Sequence, residues 1–258
     1  MKIYKSILYT ILLVIIWFIV ELLVLLPIKY FTEDTISSQL AILLNIIATI
    51  IAYLSVFFLF DVPRTIEKSL FKFKPINYKL LAPLFVLLIG IFLFDRLLWD
   101  LFNGILTEEK AFKNVFKPQN FLNLTFALQC LSTVVISPIF EELFFRKLLF
   151  NQLLKRYSLM ISVLISSVLF SLIHIQTPHN LLATFFGGFL FALVFNKTKN
   201  ILYPIILHMG FNFIVLFFGI EIAQFYGSLH YNALYYILAF VGLLLIYTSF
   251  KWLNEAKS

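Results

Sequence analysis

Charge is what this sequence has least of. Only 13% of its 258 residues are Asp, Glu, Lys or Arg, against 62% hydrophobic residues, and the mean hydropathy is +0.98. A soluble domain of this length cannot hide that much apolar surface, so a water-soluble enzyme is excluded and an integral membrane protein is expected. Cysteine occurs once, as Cys130 inside an apolar run, which excludes an intrachain disulfide and a Cys-based zinc cluster. Glycine and proline number 8 each, and no low-complexity tract, linker or internal repeat divides the chain. A single integral membrane domain over residues 1–258 is the expectation. Acidic residues are scarce too, 13 against 20 Lys and Arg, for a net +7. In a membrane protein that excess belongs to cytoplasmic loops, and nucleic acid is not an expected partner.

What the sequence has in quantity is long apolar runs. A bilayer core of about 30 Å needs about 20 helical residues. Eight stretches approach that length: 6–28, 38–60, 80–101, 121–145, 159–176, 181–196, 201–219 and 231–250. The first is longer than a signal-peptide core and no small-x-small cleavage site follows it, so it reads as a retained helix. With the N-terminus inside, 15 Lys and Arg fall on the inner side and 4 on the outer side. The expected fold is therefore all-α, a polytopic membrane bundle of about eight transmembrane helices, N-in and C-in.

Residues 64–79 mix Lys with Phe, Leu and Ile, and fit either an interfacial amphipathic segment or a plain solvated basic loop. The apolar period of 147–157 extends the fourth helix toward the membrane surface. Glu108-Glu109-Lys110 reads as a solvated charge run.

Ionisable residues inside apolar runs cost at least a few kcal/mol each, so each calls for a partner. Glu21, and Asp95 paired with Arg96, lie near helix ends and read as structural. Asn45 reads as an interhelical hydrogen bond. His179 and His230 fall in loops. A different set gathers around Glu141-Glu142 in the fourth run. Glu142 and Arg146, at i,i+4, share a helix face and can neutralise each other. Glu141 is rotated about 100° from Glu142 and has no sequence-local cation. Pro138 is expected to loosen or kink the helix just before them.

If the fourth and fifth helices form a hairpin turning near Tyr157-Ser158, Glu141 and His174 each lie about 16 residues, roughly 24 Å, from the turn. His208 and Asn212, again at i,i+4, add an imidazole and a carboxamide from the seventh helix. Such groups suit hydrolysis. Glu141 can take a proton from water, an imidazole can hold that water, and Asn212 can donate to an oxyanion. Two His and one Glu also suit zinc, with Glu141, His174 and His208 as the ligands, although the H-E-x-x-H helix is absent. A proton-coupled transporter also uses Glu and His at membrane depth; the absence of repeat symmetry between the halves counts against one.

These three clusters, Glu141-Glu142 with Arg146, Phe170 with His174, and His208 with Asn212, resemble the CPBP family of intramembrane metalloproteases, which holds CAAX prenyl protease-like and bacteriocin-immunity members. The motif-bearing part covers about 121–215. The resemblance implies an intramembrane endopeptidase acting on a peptide or lipidated peptide at the bilayer, with or without a bound zinc ion. It implies that Glu141 activates water with help from His174, that His208 and Asn212 stabilise the oxyanion, and that Glu142 and Arg146 support them. High Phe, Ile, Lys, Asn and Leu with few Ala, Gly and Arg suits an AT-rich bacterial genome, hence a bacterial cytoplasmic membrane and peptide processing or bacteriocin self-immunity. A non-catalytic membrane immunity or regulatory protein that binds a partner is the alternative.

Overall fold

The computed structural model describes residues 1–31, 38–59, 70–106 and 123–255. Among these the protein is helical without strands. Its helices are α1 (Ile3–Phe31), α2 (Ser38–Leu59), α3 (Leu81–Leu106), α4 (Leu124–Leu154), α5 (Leu159–Leu172), α6 (Leu181–Thr198), α7 (Leu202–Ser228) and α8 (Ala233–Glu255). Seven are long and apolar enough to cross a membrane. The exception is α5, whose 14 residues reach only about 21 Å. The protein is thus an all-α polytopic membrane protein. The charge run Glu108–Lys110 and residues 64–69 lie outside the described residues.

The chain divides into two compact units, Met1–Phe73 with Gln119–Leu169, and Lys74–Pro118 with Phe170–Ser258. In the first, α2 packs against α1 and α4. Its centre is aromatic. Tyr53 stacks on Phe140 at 5.6 Å and meets Phe144 edge-on at 5.8 Å, while Phe144 and Phe145 form a T-shaped pair at 4.9 Å. Lys147 is not a loop charge here. Its Nζ donates to the carbonyls of Leu70 and Lys72, both at 2.7 Å, and lies 5.4 Å from the Phe73 ring. The described part of the 64–79 segment is therefore tied down, without regular secondary structure over 72–77, with Leu70 buried and Phe71 and Phe73 exposed.

In the second unit, α3 and α8 cross closely because Gly90 and Gly242 face each other. A methyl added to either would sit 2.9 Å from the other's carbonyl oxygen. α3 also packs on α6 and α7 around Leu84, Leu87, Ile91, Phe191, Tyr203 and Leu207. The entry to α7 is fixed from residues 75–77. Asn200 Nδ2 donates to the Pro75 carbonyl at 3.1 Å, and the Asn77 amide donates to the Tyr203 hydroxyl at 2.7 Å. These contacts set where α7, and with it His208, begins.

Candidate active site

α4 carries the acids, and its backbone is not a regular α-helix. Two π-helical segments, Leu131–Ile136 and Leu143–Phe150, bracket the short α-helical stretch Ser137–Glu142. Proline has no N–H to give and its ring crowds the preceding turn. The wider turn before Pro138 absorbs that mismatch, and the Ser137 amide reaches back to the Ser132 carbonyl. Such π turns concentrate at functional positions. Ser166 on α5 supports the second segment, its hydroxyl donating to the Phe145 carbonyl at 2.9 Å.

Glu142 and Arg146 pair as their spacing suggests, Oε1 to Nη1 at 3.0 Å, with both side chains fully buried. The Arg146 guanidinium also lies 6.0 Å from the Phe145 ring. Two opposite charges in one buried pair spare the apolar surroundings a net charge. Glu141, next in sequence, is also buried at 9% exposure. Glu141 thus lies buried beside an ion pair on the same helix.

The histidine half departs from expectation at α5. A helix to residue 176 was expected to carry His174, yet α5 ends at Leu172 and residues 173–176 form consecutive turns. The cause lies in the next helix. The Ser171 hydroxyl donates to the Leu181 carbonyl at 2.6 Å, and the Thr184 hydroxyl lies 3.2 Å from Ser171 Oγ. These bonds draw the start of α6 against the end of α5, and the chain must turn between them. His174 still reaches back, its Nδ1 at 2.9 Å from the Phe170 carbonyl. A carbonyl can only accept, so Nδ1 carries the proton and a neutral ring offers Nε2 as its base.

Phe170 links the two imidazoles. Its ring lies edge-on to His174 at 5.0 Å and to His208 at 5.7 Å. His208 is buried at 5% exposure and packs on Phe191 of α6 at 5.3 Å. Asn212 follows one turn later on the same face of α7, half-buried. Phe191 and Ser171 were missed in the sequence, where a lone Phe or Ser in an apolar helix carries no distinguishing signal.

The other polar residues divide as follows. Arg96 pairs with Asp100, at 2.7 and 2.8 Å, rather than with Asp95. Neighbours at i,i+1 do not face each other, whereas i,i+4 residues do. Tyr235 adds a hydrogen bond to Asp100 at 2.7 Å, which makes this a structural link between α3 and α8. His179 lies edge-on to Trp99 at 6.0 Å, and His230 sits in a left-handed turn with Tyr231.

A zinc ion would need the carboxylate and both imidazoles together. Among the described residues no group of three or more His, Cys, Asp or Glu side chains is placed to hold a metal ion. Each unit by itself supplies at most two of the expected ligands.

Residues 123–214 match the family described as type II CAAX prenyl endopeptidase Rce1-like. The match begins at Asn123, which caps α4, and ends two residues past Asn212. No curated protein and no solved structure gives a significant match to the chain. The stretch 123–214 contains Glu141, Glu142, Arg146, His174, His208 and Asn212. Over that stretch the polytopic helical membrane protein is similar to the Rce1-like domain of the type II CAAX prenyl endopeptidases, of the CPBP family.

Proposed function

We propose that the protein is an intramembrane endopeptidase that hydrolyses a bond in a membrane-associated or lipidated peptide, using a water activated by Glu141. The observation that carries this reading is the protease-family match over 123–214 coinciding with a buried Glu141 beside a Glu142–Arg146 pair that already satisfies its own charges. Glu141 takes the proton of the attacking water, a contribution of about 10²–10⁴-fold for a positioned base. His174, oriented by its Nδ1 bond, holds that water. The hydroxide adds to the carbonyl carbon, and His208 and Asn212 donate to the oxyanion, each such donor contributing about 10²–10³-fold. Collapse of the adduct returns the proton from Glu141 to the leaving amine. Glu142 and Arg146 keep α4 in place.

In this reading both termini face the cytoplasm of a bacterial cell, and the activity serves maturation of a secreted peptide or self-immunity to a bacteriocin. The test is cleavage of membrane-anchored peptides, prenylated and plain, by the whole protein in lipid nanodiscs, with products mapped by mass spectrometry. A defined cleavage that persists after chelation is expected. Absence of any cleavage by folded protein would instead favour a non-catalytic immunity protein that acts by binding, and cleavage abolished by chelation would mean that a bound metal ion activates the water.

A further inference from the structure

Glycines inside these helices are of two kinds. A methyl on Gly90 or Gly242 would meet backbone of the facing helix at 2.9 Å, and one on Gly210 would meet a Leu88 methyl at 2.9 Å. Those three are glycine because a neighbour occupies the place of a side chain. Gly187, in the middle of α6, is of the other kind. Apart from its own helix backbone and chain neighbours, no heavy atom of the described residues lies within 4 Å of its Cβ position. Nor does the backbone there need glycine, since no described glycine has a positive φ. Glycine in a helix interior costs about 1 kcal/mol relative to alanine. Packing and backbone geometry leave that cost unexplained.

Its position suggests the explanation. Gly187 lies three residues after Thr184 and four before Phe191, so the three share a face of α6. Phe191 packs on His208, and Thr184 contacts Ser171, next to the Phe170 ring that touches both imidazoles. The open space therefore lies on the face of α6 that meets the histidines, about one 5.4 Å turn from the residue that packs on His208. The positions around it on that face, Ala183, Thr184, Leu190 and Phe191, carry no charge.

We infer that this space is a side-chain subsite and that Gly187 is a specificity-determining residue, admitting an apolar side chain that flanks the scissile bond of the peptide substrate. The inference rests on the endopeptidase reading and deepens it. A side chain at 187 would fill the subsite from the wall, excluding large substrate residues while leaving small ones room.

The test uses the whole protein in nanodiscs and peptides that differ only in having Ala, Leu or Phe beside the cleaved bond. Gly187→Leu is expected to raise KM for the Leu and Phe peptides about tenfold or more, the scale of a lost apolar pocket. The Ala peptide should be affected less, so that the ratio of the Phe peptide's KM to the Ala peptide's rises severalfold. Gly187→Ala should fall between. An unchanged size preference in folded Gly187→Leu overturns the inference. A second measurement stands apart from catalysis. In a Cys130→Ala background, Gly187→Cys should react with N-ethylmaleimide, and the Phe peptide should slow that reaction. If wild-type protein cleaves nothing, the endopeptidase reading fails, but protection of Cys by peptide still supports the subsite. No labelling, or labelling that peptide does not slow, overturns it.

Discussion

In the first unit the polar groups are charged and sit close together on one helix, with Glu142 and Arg146 at 0% exposure and 3.0 Å apart and Glu141 beside them. In the second unit the candidate-site groups are two imidazoles and an amide drawn from a turn and from α7, spaced by Phe170 and Phe191. The contrast follows from what each group costs at membrane depth. A lone charge requires a matching charge and a rigid surround, which the π-broadened, aromatic-packed α4 supplies. A neutral imidazole needs only one polar bond and an aromatic neighbour, so it tolerates the edge of a helix. The acid half is built for order, and the histidine half keeps room.

That difference can be broken in order of size. Replacing Arg146 by Met leaves Glu142 buried without its cation and should cost about 3–5 kcal/mol. It should be measured as loss of folded protein in a detergent or thermal denaturation series. Retention of wild-type stability would mean that Glu142 does not depend on Arg146. In the histidine-bearing unit, Gly90→Leu forces α3 and α8 apart and should cost about 1–3 kcal/mol by overpacking, read as a lower Tm. The smallest change sharpens the role of the π segment. Ser166→Ala removes the hydroxyl from the Phe145 carbonyl and should cost about 0.6 kcal/mol, typical of one bond between membrane helices. A much larger loss would show that this bond holds the π turn itself.

Much of this was legible in the chain. The apolar runs placed the helix starts to within three residues, because a spanning helix must satisfy its own backbone bonds and therefore shows as an unbroken stretch, but α4 and α7 each run nine residues past the expected end. The Glu142–Arg146 pair was legible because i,i+4 geometry is local. What was not legible depended on contacts distant in sequence. α5 stops short of His174 because Ser171 and Thr184 tie it to α6, and serines in an apolar run are uninformative alone. Arg96 chose Asp100 over Asp95, a preference that the helix period does contain. Pro138 announced a disturbance, but not that a π segment before it would take it up or that a second would follow at Leu143–Phe150. Lys147 reads as a loop cation until its two carbonyl acceptors, Leu70 and Lys72, are found more than seventy residues away.

The central claim is that neighbouring acids on α4 have separate tasks, one chemical and one structural. It is tested most directly by measuring cleavage rate and Tm on the same nanodisc preparations of wild type, Glu141→Gln and Glu142→Gln. Glu141→Gln is expected to lose about 10²–10⁴-fold in rate with Tm nearly unchanged, the scale of a missing general base. Glu142→Gln should lower Tm, because Arg146 is left without its counter-charge. Full cleavage by Glu141→Gln, or a loss in Glu141→Gln that only tracks unfolding, would contradict it.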